Sequence, residues 1–232
     1  MFYYLIFGFL TLSIVINGQI LPNYNLTDDE INFVANSEQN KDSLPPCNMV
    51  ILNYCQARLN DYYGIDPTIT WRSGTLFWNF IQNKMAHSSS ELDMVCDGNN
   101  QFKECIGKNY QGCVDLYQLV SYSGSTSLQD IFDYYRTFRS LDYVCGSGHE
   151  TITKDRPCLS SLTTTLAYQE CFTLANATQP NTQFCPAVQT TGDCVNDLAR
   201  ERCQSKKDAL FACKSFQTLY TDSCTNLHCN SK

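Results

Sequence analysis

Three histidines, His87, His149 and His228, supply all the imidazole in a chain of 232 residues. That leaves little acid–base machinery to assemble. His149 stands in Gly146-Ser147-Gly148-His149-Glu150, which can be read as a catalytic His–Glu pair or, more simply, as a glycine-rich loop after a helix. His228 adjoins Cys229 without a second ligand pair, and no C-x-x-C occurs, so the spacing opposes a zinc site. H-E-x-x-H, G-x-S-x-G and the phosphate-cradling G-x-x-x-x-G-K-[ST] are all missing. So is the adjacent histidine and aspartate that a secreted phospholipase would carry. The 23 acidic residues favour no particular glycosidase pair. No catalytic, cofactor-binding or metal-ligating residue is assigned, no cofactor is expected, and the chain reads as a non-enzyme.

The cysteines are the strongest chemical signal. There are 14: Cys47, Cys55, Cys96, Cys105, Cys113, Cys145, Cys158, Cys171, Cys185, Cys194, Cys203, Cys213, Cys224 and Cys229. An even count in an exported chain reads as disulfides, and export is what the first segment predicts. Met1 to Gly18 has no charged side chain and runs through Leu5, Phe7, Leu10, Leu12, Ile14 and Ile16, a secretory h-region with cleavage expected after Gly18. About 15 apolar residues fall short of the roughly 20 that span a bilayer. No later window is more apolar, so no membrane span is expected in the mature chain. Sequons at Asn25 and Asn176 agree with an oxidising, glycosylating route.

Charge is distributed unevenly. Residues 19–46 carry five acids against Lys41, residues 47–193 carry 14 acids and nine bases, and the remainder four acids and six bases. No stretch has the dense basic patch that phosphate binding demands, so no nucleic-acid partner is expected. Arg200, Arg202, Lys206 and Lys207, interleaved with Glu201 and Asp208, read as a solvated helix face.

The organisation follows: a signal peptide over 1–18, an acidic, mostly disordered leader over 19–46 ending in Pro45-Pro46, and a cysteine-rich helical domain over 47–229. The leader admits one short helix opened by the Thr27–Glu30 capping box. From Cys47, the residues Val50, Ile51, Tyr54, Cys55, Arg58, Leu59 and Tyr62 recur at helical spacing until Gly64, predicting an amphipathic helix with Cys47 and Cys55 on its inner face. Asp66-Pro67 can start another, carrying Leu76, Phe77, Phe80, Ile81 and Met85 on one side, with Trp71 and Trp78 as core. Ser88–Glu91 is a second capping box. Further helices are expected over Tyr110–Val120, from Ser127 through Phe138, after Pro157 through Leu159, Leu162, Leu166 and Cys171, and from an Asp193 cap through Phe216. The Thr163–Thr165 run weakens the third of these. Alternating patterns are scarce, so the fold class is all-α, a disulfide-rich multi-helix domain.

Helix geometry restricts the pairing. Cysteines eight apart on one helix lie about 12 Å apart, beyond the ~7 Å a disulfide allows. Cys47 and Cys55 must therefore reach another element, as must Cys194, Cys203 and Cys213. The equal spacing of Cys105 and Cys113 suggests two rungs, Cys47–Cys113 and Cys55–Cys105, although Gly107 and Gly112 oppose a continuous helix there. Leu92-Asp93-Met94-Val95-Cys96 recurs as Leu141-Asp142-Tyr143-Val144-Cys145, which would suit a duplicated helical hairpin or two helix ends that share identities by chance.

Cys47-x7-Cys55, Leu92 to Cys96 leading to Cys105-Ile106-Gly107 and Cys113, then Leu141 to Cys145 followed by Arg156-Pro157-Cys158-Leu159, resemble the nematode secreted cysteine-rich proteins that share a domain of unknown function. The likeness covers about Cys47 to Cys224. It implies secretion and an extracellular helical disulfide domain, carries over no activity, and suits a role in defence or host–environment contact.

A mature chain of 214 residues can bury close to 70% of its unfolded surface without staples, so the disulfides point to endurance against proteolysis. The leading expectation is an extracellular interaction protein with an unknown protein or glycan partner. The rival is a carrier whose 13 Phe, 14 Tyr and 2 Trp line a cavity for a lipid or small hydrophobic ligand. A receptor-like helical domain of the growth-factor co-receptor type is a third reading, without matching cysteine spacing. A carrier requires an enclosed pocket of several hundred Å³. An interaction module requires a filled core and an exposed aromatic or charged patch.

Overall fold

Asn48 caps α1, Met49–Tyr63, its side chain accepting hydrogen bonds from the Val50 and Ile51 amides. Gly64 ends it with φ +68°, and the Ile65 N–H returns to the Asn60 carbonyl at 2.8 Å, a left-handed closure that favours glycine. The computed structural model describes residues 44–177 and 184–230, with side chains omitted over 173–177. The signal segment, the leader up to residue 43 with its capping box, and Asn25 lie outside the described residues, as does the Asn176 side chain; the end of the leader is held, the Pro45 and Pro46 carbonyls accepting from Gln118 and Asn109.

Asp66-Pro67 does not start a helix. The Asp66 carboxylate accepts from the Thr68 amide and hydroxyl (2.8 and 2.7 Å), and that local bond holds a turn instead. A short 3-10 turn, Trp71–Ser73, then leads into α2, Gly74–His87. Ser88 caps α3, Ser89–Ile106, through its hydroxyl to the Glu91 amide (3.1 Å), as the capping box predicts. Gly107 (φ +65°) breaks the chain. The single helix expected over Tyr110–Val120 is two: α4, Tyr110–Cys113, and α5, Leu116–Ser121. The Asp115 carboxylate accepts from the Gln118 amide (2.9 Å) and starts the second; aspartate favours such a cap over a helix interior.

Helix α6, Leu128–Val144, is buried on every side from Ile131 to Phe138. Its rings make the centre of the core. Phe138 meets Phe102 at 4.6 Å, Tyr134 at 4.9 Å and Phe77 at 5.8 Å between ring centroids. Several polar residues of α6 are engaged too. The Arg136 guanidinium lies 3.0 Å from the Asp133 carboxylate and 4.3 Å from the Trp78 ring centroid, and Tyr134 donates to Gln56 at 2.7 Å. Trp71 and Trp78 are both core.

Helix α7, His149–Leu162, is two helical stretches joined across a kink at Asp155, where the geometry is not helical; the second stretch starts beside Pro157, where a start was expected, and the first, from His149, precedes it. Proline disturbs the turn that precedes it. Three threonine hydroxyls, of Thr163, Thr164 and Thr165, bond back to carbonyls three residues earlier and end α7 before α8, Leu166–Ala177. The expected Asp193 cap is a helix interior. Helix α9 runs Phe184–Cys203, and the real break follows at Gln204 (φ +54°), where Ser205 caps α10, Lys206–Gln217. A 3-10 turn, Thr218–Tyr220, follows. No strand occurs among the described residues.

All 14 cysteines are paired. Cys47–Cys113, Cys55–Cys105 and Cys96–Cys145 brace the first half; Cys158–Cys203, Cys171–Cys194, Cys185–Cys224 and Cys213–Cys229 brace the second. Both suggested rungs are present even though Gly107 interrupts the helix between Cys105 and Cys113. The two repeat copies occupy unlike positions, because Leu92–Cys96 opens α3 whereas Leu141–Cys145 closes α6. They are joined to each other by a disulfide and are not matching parts of a repeated hairpin. No bridge joins the two halves, yet one buried cluster spans them, with Phe132 on Tyr220 and Tyr143 on Phe211 (6.1 and 5.5 Å) and Arg139 paired to Asp222 at 2.6 Å.

Candidate interaction surface

Helix α1 has apolar residues on both faces, and its buried polar pair decides which face turns inward. Gln56 donates to Asn60 at 2.8 Å, and Asn60 donates to the Ile69 and Asp66 carbonyls. These bonds satisfy amides that would otherwise be costly to bury. Leu52, Cys55, Leu59 and Tyr63 share that inner face, and the Tyr63 hydroxyl donates to the Val95 carbonyl at 2.6 Å. The outer face therefore carries Val50, Tyr54, Arg58 and Tyr62 at four-residue spacing. Val50 is 78% exposed, Tyr54 61%, Tyr62 40% and Ile51 37%. Sequence periodicity placed these residues inside; Cys47 and Cys55 are inside as expected. The i,i+4 amide pair was the signal that could have chosen between the faces.

Beside this face an open cleft of about 240 Å³ separates α1 from α3. The Cys55–Cys105 bridge, Leu59 and Phe102 line it together with Arg58, Asp61, Tyr62 and Gln101. The two bridges at Cys47 and Cys55 fix α1 to the rest of the molecule at both ends of its first two turns. The surface combines exposed aliphatic and aromatic side chains with an adjoining charged and amide rim, the composition of a contact patch.

The other candidates lie apart. His149 begins α7, and its Nε2 sits 3.2 Å from the Asp93 carboxylate; its neighbour Glu150 instead faces Lys207 at 3.8 Å. His228 uses its backbone, donating to Gln189 and accepting from Gln217. No group of three metal-ligating side chains occurs among the described residues. The basic cluster straddles the α9–α10 turn and is not one helix face: Arg200 donates to Asn196 and to the Asn230 carbonyl, while Asp208 is buried. Burial pushes the Asp133 carboxyl up, against the opposing pull of Arg136, and burial also raises Asp115. Neither lines the α1–α3 cleft.

No described helix is long and apolar enough to cross a membrane. Seven disulfides are consistent with an extracellular setting. Comparison with protein-family models, curated proteins and solved structures yields no match to this chain.

Proposed function

We propose that the chain is a secreted, non-enzymatic interaction protein that presents the outer face of α1 and the adjoining α1–α3 cleft to an extracellular protein or glycan. One contrast carries this reading. The large aromatic residues that could line a carrier's cavity pack on one another in the core, whereas Val50, Tyr54 and Tyr62 point into solvent from a helix held by two disulfides. The cleft supports it further, being open and rimmed by Arg58, Asp61 and Gln101, a lining suited to a partner's polar side chain or sugar more than to a lipid tail. Secretion rests on the apolar N-terminal segment, the sequons and the disulfide density. A role in defence or host–environment contact rests on the resemblance to nematode secreted cysteine-rich proteins.

The test is site-specific photo-crosslinking of the oxidised mature chain in extracellular fluid from its source, with the probe at Tyr54 and, as control, at the exposed Leu166 of α8. A discrete adduct formed from position 54, not from position 166, and lost on Val50→Glu supports the surface. Identical adducts from both positions, or none from 54, count against it.

A further inference from the structure

The α1–α3 cleft holds two opposite charges that do not neutralise each other. Arg58 and Asp61 stand three residues apart on α1, a spacing at which such side chains can pair. Both line the cleft and both are exposed, yet among the described residues neither side chain has an ion-pair or hydrogen-bond partner. By contrast, Arg72 donates to Thr126, Arg139 to Asp222, Arg156 to the Ala86 carbonyl and Arg200 to Asn196. Gln101 of α3 lines the same cleft, and its amide brings both a donor and an acceptor.

Below this polar mouth the lining is apolar. Leu59 and Phe102, 3% and 1% exposed, make the floor with the Cys55–Cys105 bridge, and the Tyr62 ring stands at the edge, 40% exposed. The space, about 240 Å³, suits a single ring more than a folded segment. Ligand classes separate on such a lining. A lipid tail uses none of the three polar side chains. A ligand of one charge meets its own sign as well as the opposite one within a single helical turn. A neutral pyranose uses both: its hydroxyls donate and accept, so they take bonds from Arg58 and give them to Asp61, while its C–H face lies on apolar and aromatic surface.

We infer that the cleft is a sugar-binding subsite for one neutral pyranose unit of a glycan, with Arg58 donating to its hydroxyls, Asp61 accepting from them, Gln101 completing the set and Tyr62 against the C–H face. Arg58 and Tyr62 also belong to the outer face of α1, where Tyr54 lies four residues, about 6 Å, from Arg58; the rest of the glycan leads onto that face. The inference rests on the surface proposed above and narrows its partner to a glycan.

NMR titration of the oxidised, nitrogen-15-labelled mature chain tests this, using the methyl glycosides of glucose, galactose, mannose, N-acetylglucosamine and N-acetylgalactosamine. Methyl glucuronide and N-acetyl-lysine methylamide serve as acidic and basic probes. At least one neutral glycoside is expected to move the Arg58, Asp61, Tyr62 and Gln101 amides with a Kd of about 1 mM, the scale of a ligand this small, and with no dependence on salt. Arg58→Gln and Asp61→Asn each weaken it about tenfold or more, the loss of a charge-assisted bond. An acidic ligand would instead gain from Asp61→Asn, and a basic one from Arg58→Gln. Shifts with no neutral glycoside, or with a charged probe alone, overturn the subsite in the wild-type chain, whatever the variants do. The surface and the sugar fail separately: a position-54 adduct that still forms after periodate has destroyed the glycans of the fluid keeps the surface and overturns the sugar, whereas an adduct lost to periodate supports both.

Discussion

Replacing Phe138 by alanine separates a filled core from a ligand cavity. Phe138 is fully buried, and its ring lies 4.6 to 6.3 Å, centroid to centroid, from those of Phe102, Tyr134, Phe77 and Tyr110. Those neighbours come from α2, α3, α4 and α6, of which α3 and α4 carry disulfides and α6 ends at one, so the hole cannot collapse freely. Truncation removes roughly 100 Å³ of side chain, and at about 24 cal/mol per Å³ the cavity alone costs about 2.4 kcal/mol. Loss of apolar transfer energy brings the total to about 3–5 kcal/mol, or a Tm lower by roughly 10 °C for a chain of this size. Chemical denaturation with the disulfides intact, against Tyr54→Ala as a surface control expected within about 0.5 kcal/mol, measures it. The new hole is apolar and should bind xenon or benzene, which wild type should not. A loss below about 1 kcal/mol, or equal probe binding by wild type, would refute the packing argument, because the ring would then border space that already exists.

Three further outcomes follow from the same structure. Arg136→Met strands a buried Asp133 carboxylate and is expected to cost about 3–5 kcal/mol, whereas Asp133→Asn with Arg136→Met recovers much of the loss; paired denaturation curves check it. Removing the Cys96–Cys145 bridge as a double serine variant frees a closed loop of 49 residues and should cost about 4 kcal/mol in the chain-entropy treatment, read from the denaturation midpoint of an otherwise oxidised protein. Gly74→Ala would place a Cβ 1.8 Å from the Asp130 carbonyl of α6; backbone cannot rotate away as a side chain can, so a loss of at least about 1–3 kcal/mol is expected by the same assay.

The parts of this fold legible in the sequence are those set by local chemistry. Ser88 with Glu91, Gly64 after Tyr63, and the spacing of Phe77, Ile81 and Met85 each declare a helix end or face through interactions within a few residues. The two rungs from Cys47 and Cys55 were legible because eight residues of helix cannot close on themselves and because Cys105 and Cys113 repeat the same spacing. What was not legible depended on partners far along the chain. The inner face of α1 is chosen by Gln56 and Asn60, whose bonds reach Tyr134 of α6 and the loop at Ile69. The same choice exposes Val50 and Tyr54, which apolar periodicity alone assigns to the core. Asp115 and Asp193 show how one residue type misleads: the first caps a helix, while the second sits inside one and accepts from Asn230 at 2.9 Å. Pro157 was read as a start, and a helical stretch does begin beside it after the kink at Asp155; the stretch before it, from His149, was not legible, because α7 packs on α9 and α10, far along the chain.

Native mass spectrometry of the mature chain from Gln19, expressed in an oxidising host and recorded with and without organic extraction, tests the central claim most directly. A filled core with an outward-facing site predicts a polypeptide-plus-glycan mass that extraction leaves unchanged and that lies about 14 Da below the fully reduced value, two hydrogens for each of the seven bridges. A discrete, stoichiometric hydrophobic mass released by the solvent would contradict that claim and make the protein a carrier.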